Sequence, residues 1–309
     1  MKLAAGYKGY AGYAWVCLAM MAFAGNSLLN RLALATSAID AASFTAVRLA
    51  SAATMLLLLV WWLPKSSTLS TNSGTTSGTT PTSIEPSSNC WLPWLSAMAL
   101  FVYAAGFSWA YLRMTAATGA LVLFGAVQLT MVLFALWQGE TLRPSQWLGF
   151  GLAILGMLLL TVPTVSTPSA ASAIAMLSAG IAWGVYSLLG RKASQPLQTT
   201  RNNFMRRLPM AAALVLTQYS SLSISHSGLF YALLSGALTS GIGYAIWYHV
   251  LPSLGSTNAA AIQLSVPVIT VLSGAVLLQE PVTAAVLLDC VTILGGMGLV
   301  LLGKTAVIK

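Results

Sequence analysis

The feature that most constrains this 309-residue chain is a succession of apolar stretches, each about twenty residues long, parted by short breaks rich in charge, Pro, Gly or Ser. A bilayer core about 30 Å thick is crossed by roughly 20 residues rising 1.5 Å each. Ten such stretches fall near 11–34, 41–63, 91–112, 116–138, 144–163, 170–190, 205–222, 228–250, 257–278 and 283–303. The seventh is the least regular, with Arg206 and Arg207 at its start and Pro209 just after. Lipid leaves no backbone polar group a water partner, so long apolar runs without a barrel's alternation must be helices. The expected fold is an all-α integral membrane protein of ten transmembrane helices.

Composition agrees. Only 6% of residues are charged and 57% are hydrophobic, whereas soluble domains carry roughly a quarter charged residues. A soluble enzyme, a disordered protein and a nucleic-acid binder are excluded on that ground. The net charge of +9 is a matter of orientation. With the N-terminus inside, the inner side receives Lys2, Lys8, Lys65, Arg143, Arg191, Lys192, Arg201, Arg206, Arg207, Lys304 and Lys309, and the outer side only Arg31 and Arg113. Basic residues collect on the cytoplasmic side, which places both termini in the cytoplasm of a bacterial inner membrane. The first apolar run is too long for a signal-peptide core and reads as a retained helix. Cys17, Cys90 and Cys290 have neither disulfide-framework nor metal spacing. Fifteen of the 25 residues in Ser66–Cys90 are Ser or Thr, a composition that cannot bury a core and marks a flexible insertion.

The chain also repeats itself. Glu140, Leu148, Gly156 and Met157 recur 140 residues later as Glu280, Leu288, Gly296 and Met297. Ser27-Leu-Leu-Asn-Arg31 recurs 160 residues later as Ser187-Leu-Leu-Gly-Arg191. The 20-residue difference roughly matches the Ser/Thr insertion, which lies only in the first half. Two units, 11–163 and 170–303, with five helices each must be oppositely oriented across the membrane, a common transporter plan.

Several segments carry a family likeness: Phe44-Thr-Ala-Val-Arg48, Gly119 to Gln128, Gly139-Glu140-Thr-Leu, and Gln279-Glu280-Pro-Val. Through them the chain resembles the drug/metabolite transporter superfamily, specifically ten-helix proteins with two EamA domains. The resemblance spans nearly everything but Ser66–Cys90. It implies export or exchange of small metabolites, amino acids or drugs without ATP hydrolysis, and no cofactor. Asp289 departs from the pattern, standing where the first repeat has Gly149.

Candidate functional residues are the polar and aromatic side chains that lipid would penalise. Arg48 lies roughly 10 Å into the second helix, where it would attract an anionic group or form a gate; the alternative is snorkelling to the outer headgroups. Asp289 lies about 9 Å into the last helix and suggests proton coupling or gating, against an oligomer contact or a shallow interfacial position. Asn26, Gln128 and Gln263 should face protein or a cavity. Tyr103, Trp109, Trp183, Tyr186, Tyr244 and Trp247 would supply an aromatic cavity lining, or else an interfacial belt. Arg206 and Arg207 read as inner-surface anchors, and Glu140 and Glu280 as helix caps. Pro267 should kink its helix, and Gly180-Ile-Ala-Trp-Gly184 should bring two helices close.

No metal site and no enzyme constellation emerges, and His226 and His249 are isolated. The expected partners are a small-molecule substrate and membrane lipid, without nucleic acid; a homodimer stays open. The expected function is secondary active export of a metabolite, amino acid or drug-like solute, the alternative a membrane scaffold or assembly factor with the same fold. Reporter fusions at Lys309 and within Ser66–Cys90 should both report cytoplasm; an external signal at either would overturn the ten-span topology.

Overall fold

The computed structural model describes residues 10–36, 38–62, 91–161, 169–191, 193–279 and 282–303. The Ser66–Cys90 insertion and Glu280 lie outside them. The chain runs through α1 (Tyr10–Ala35), α2 (Ala41–Trp62), α3 (Leu92–Tyr111), α4 (Ala116–Trp137), α5 (Pro144–Thr161) and α6 (Ala170–Gly190). It continues through α7 (Pro196–Arg206), α8 (Leu208–Thr217), α9 (His226–Leu234), a π-helical stretch (Ser235–Ile242), α10 (Gly243–Val250), α11 (Ser256–Gln263), α12 (Ser265–Leu277) and α13 (Ala284–Leu302).

Among the described residues, seven helical segments are long and apolar enough to cross a bilayer: Gly12–Ala35, Ala41–Trp62, Leu92–Tyr111, Thr118–Trp137, Ala170–Gly190, His226–Ser253 and Ser256–Leu277. Ala284–Val300 is a shorter apolar helix. The protein is therefore an all-helical integral membrane protein. Exposed tryptophans Trp61, Trp62, Trp91, Trp94, Trp137 and Trp147 sit at the ends of α2, α3, α4 and α5 that the charge bias assigns to the cytoplasm. That is the headgroup depth indole rings prefer.

The irregular seventh stretch is split in two. α7 begins at Pro196, nine residues before the sequence expectation, and the rod breaks at Arg207 before resuming as α8. Pro209 offers no N–H to the Met205 carbonyl, so the helix cannot run unbroken through this point. A second break, at Leu264, precedes Pro267, whose missing N–H leaves the Gln263 carbonyl without its helical donor. The kink expected from Pro267 is thus present as an interruption.

Packing is chiefly between the two halves of the chain. α3 and α4 pack on α6, α1 on α10 and α12, α2 on the π stretch, α7, α8 and α9, and α5 on α13. The α5–α13 seam depends on small residues. A Cβ at Gly149 would stand 2.5 Å from the Gly296 carbonyl oxygen, and one at Gly296 would collide with that of Gly149. Gly180 and Gly184 similarly meet Leu123, Ala126 and Thr130 of α4, so this pair packs helices within the chain.

Each end of the bundle is tied across the halves. At one end Ile39 bridges Ile224, Asp40 N donates to Ser223 O (2.9 Å), and Ser225 N donates to Ala38 O (2.8 Å). The Asp40 carboxylate accepts from Ser43 N (2.8 Å) and Ser223 N (2.9 Å). Burial works against its charge, but these donors outweigh burial and hold the carboxyl below the usual range. A lowered pKa stabilises above the ordinary Asp value, and the benefit is lost only as pH falls through the lowered one. At the other end Glu140 accepts from Thr257 Oγ1 (2.9 Å), and within the second half Arg191 donates to the adjoining Ser256 Oγ. Glu140 therefore meets the N-terminus of α11, not that of the helix that follows it, a correction to its reading as a cap of its own helix.

Gly149→Leu should lower stability by about 1–3 kcal/mol, and the thermal midpoint with it, if the seam relaxes as an overpacked core does. Gly151→Leu, where a Cβ meets nothing within 4 Å, should leave it nearly unchanged. Thermal unfolding in detergent reads both.

Candidate functional site

Helical periodicity aligns the polar residues of the core. On α1, Phe23, Asn26 and Asn30 share a face; on α3, Tyr103, Phe107 and Tyr111 stack one turn apart, with centroids 5.3 and 4.7 Å apart. On α2, Phe44 and Arg48 are one turn apart and both buried. These faces converge on Arg48, which is 1% exposed. Its Nε donates to Ser240 Oγ (3.0 Å), and its Nη2 donates to the hydroxyls of Tyr103 (3.2 Å) and Tyr244 (2.9 Å). Its guanidinium carbon also lies 5.3 Å from the ring centres of both Tyr103 and Phe107. The snorkelling alternative is thereby overturned: the arginine turns into the protein, where hydroxyls and π faces receive it.

Tyr103 is the hub. Its hydroxyl also accepts from Asn26 Nδ2 (3.0 Å) and from Tyr244 OH (3.0 Å). Asn26 is oriented in turn, its Oδ1 accepting from Ser235 Oγ (2.7 Å), Thr239 Oγ1 (3.2 Å) and Asn30 Nδ2 (3.3 Å). Ser108 Oγ donates to Asn30 Oδ1 (3.4 Å). The second half supplies Ser235, Thr239, Ser240 and Tyr244 from one rod, and the π stretch makes this possible. In a regular α-helix Ser235 and Tyr244, nine residues apart, would differ in direction by about 180°. The wider π turns bring both toward the network. Gly236 permits the approach, since a Cβ there would collide with Ser51 Oγ and the Arg48 backbone.

Around the network lies an aromatic cluster. Trp183 packs against Phe23, Tyr103, Tyr186 and Tyr244 at centroid distances of 5.2, 5.0, 5.6 and 4.7 Å. Phe23 also meets Trp247 edge-on at 5.7 Å. Trp183 Nε1 donates to Gln263 Oε1 (2.7 Å), and Gln263 Nε2 donates to Ala259 O (3.1 Å). A small cavity of about 10 Å³, lined by Phe23, Ser27, Tyr103, Phe107, Leu123, Phe124 and Trp183, lies against the Tyr103 and Phe107 rings that flank Arg48.

Of the sequence candidates, Asn26, Arg48, Tyr103, Trp183, Tyr186, Tyr244, Trp247 and Gln263 are thus brought together. Three are not. Trp109 is 50% exposed and faces outward, a correction with a simple cause: it sits two residues past Phe107, off the buried stripe. Gln128 lines a second pocket with Leu121, Ala153, Leu264, Pro267 and Ile293, and neither its Oε1 nor its Nε2 has a hydrogen-bond partner. Asp289 is buried at the α5–α13 seam, where its main chain lies beside Gly156.

The largest correction concerns Arg207. Expected as an inner-surface anchor, it is 0% exposed. Its guanidinium carbon lies 3.2 Å from the ring centre of Phe204, which packs on Tyr244 at 5.8 Å. The break before Pro209 turns the residue inward. A signal was available: Phe204 and Arg207 occupy nearly the place in the second half that Phe44 and Arg48 hold in the first. Ser235, Thr239 and Ser240 were also missed, though hydroxyls in the glycine-rich run from Ser235 to Gly243 hint at a widened helix.

Tyr103→Phe should strand the Asn26 and Arg48 donors and lower stability by about 1–3 kcal/mol. Trp109→Phe on the outer face should change it little. Thermal unfolding of the two variants compares them directly.

Residues 10–162 and 170–302 each match the EamA-like transporter family. An uncharacterized protein of Pseudomonas aeruginosa is 47% identical over 94% of this chain and 95% of its own length. A probable amino-acid metabolite efflux pump of Escherichia coli is 26% identical over 60% of this chain and 67% of its own. A crystal structure 19% identical in sequence shares the fold, with a TM-score of 0.64 over 93% of this chain and 98% of that one. The chain belongs to the EamA-like transporter family.

Proposed function

We propose that this protein is a secondary carrier, not an enzyme, that exports a small organic solute by exposing a central site alternately to the two sides of the membrane. The observation that carries this reading is the Arg48–Tyr103–Tyr244 network: a polar, aromatic-walled core built by both halves of the chain. Polar residues at such depth are expensive in a membrane and mark solute pathways. Each end of the bundle carries cross-half contacts, among them Asp40 with Ser223 at one and Glu140 with Thr257 at the other. Breaking one set while keeping the other would open the core to one side.

In this reading ten spans form two inverted five-helix units, 11–163 and 170–303, in a bacterial inner membrane with both termini cytoplasmic. The printed name of the Escherichia coli relative, an efflux pump for amino-acid metabolites, supports small solutes and the outward direction. The working unit is one chain or a homodimer, with lipid as its only other partner.

Purified protein in liposomes should give saturable, counterflow-competent flux of at least one solute from a set of amino acids, their carboxylate and amine derivatives, and cationic drugs. Trp183→Ala should lower the initial rate about tenfold, equivalent to ~1.4 kcal/mol, while the variant stays folded. Absence of flux across the set would favour the scaffold reading.

A further inference from the structure

We infer that Arg48 and Arg207 form an anion-binding site in the core, and that the solute carried is an organic anion with a small apolar body. This rests on the carrier reading above.

A guanidinium remains protonated at any pH the protein meets, and burying one without a countercharge is unfavourable. Two are buried here, at 1% and 0% exposure, one from each half. Arg48 is received by neutral hydroxyls, and its Nη1 has no acceptor. Arg207 has no acceptor at Nε or Nη2 and rests on the Phe204 ring. The carboxylates among the described residues lie elsewhere: Asp40 with Ser43 and Ser223, Glu140 with Thr257, and Asp289 at the α5–α13 seam, its Oδ2 without a partner. Tyr244 links the two like charges: its hydroxyl accepts from Arg48, and its ring packs on Phe204, on which Arg207 rests. Their repulsion is relieved by one species, an anion that takes the unmatched N–H groups of both, for which the planar guanidinium fork is well shaped.

The surroundings define the rest of the solute. Tyr103 and Phe107, the two rings that flank Arg48, also wall the adjoining cavity with Phe23, Phe124 and Trp183. Its hydroxyl Ser27 Oγ has no partner. The cavity is about 10 Å³ in this closed state, room for a single water, so an apolar or aromatic body enters as these rings part, with its anionic head on the arginines. The site is closed to solvent, as an occluded state between the two openings requires.

The test uses full-length protein in phosphatidylcholine nanodiscs, whose lipid has no net charge, with four probes of one shape: phenylacetate, phenyl phosphate, phenethylamine and 2-phenylethanol. At least one anion should raise the thermal midpoint by several degrees in a saturable way and quench tryptophan fluorescence, and which one does so identifies the head group. The amine and the alcohol should do neither. Inorganic phosphate should bind at least tenfold more weakly than phenyl phosphate if the body is recognised.

Arg207→Met should abolish the anion-induced shift and raise the ligand-free midpoint, because it removes an uncompensated buried charge. Equal stabilisation by the alcohol, or a variant that melts earlier yet binds the anion undiminished, would overturn the site. If the variant does not fold, discrimination among the four probes by the wild-type protein still decides. Counterflow of the amine or alcohol without that of either anion would sink the anion site and leave the carrier. Saturable anion binding without flux of any solute would do the reverse.

Discussion

A guanidinium held inside a membrane protein dictates its surroundings, and Arg48 does so here. Lipid offers no acceptor, so acceptors must come from neighbouring helices at fixed distances. Tyr103 of α3 and Tyr244 and Ser240 of the second half supply them. Each supplier must be held in turn. Asn26 fixes the Tyr103 hydroxyl, and Ser235 and Thr239 fix Asn26. The departure from α-helical geometry over Ser235–Ile242 belongs to the same requirement, since a regular helix would turn Ser235 and Tyr244 to opposite sides.

The network also explains why the halves interlock. Its members come from α1, α2 and α3 on one side and from the π stretch and α10 on the other, so neither half can hold Arg48 alone. Glycines set the distances at which this works, at Gly236 against Arg48 and at Gly149 and Gly296 along the outer seam. Away from the network, contacts at the two ends also join the halves, among them Asp40 with Ser223 and Glu140 with Thr257.

Much of this was legible in the residues. Asn26 and Gln263 were marked because an amide facing lipid is costly, and both are buried with partners. Tyr103, Tyr244 and Trp183 were singled out only as aromatics in the helices expected to line a cavity. Trp109 was marked on the same ground and faces outward, because composition does not say how a helix is rotated about its axis. Arg207 was misread because a basic pair at the start of an apolar stretch is the ordinary sign of a headgroup anchor. Only the backward start of α7 at Pro196 and the break before Pro209 carry that residue inside.

The sequence by itself determined that the chain lives in lipid, where most of its apolar helices run, and that Arg48 is an exception needing an explanation. Those properties depend on hydrophobicity and length, which are local. The tertiary structure decided which polar faces meet, that Arg207 joins Arg48 in a core whose neighbours are hydroxyls and rings, and that Gln128 and Asp289 lie apart from them. These depend on helix rotation and on interruptions at Arg207, at Leu264 and over Ser235–Ile242, which are fixed by side-chain packing between segments far apart in the chain.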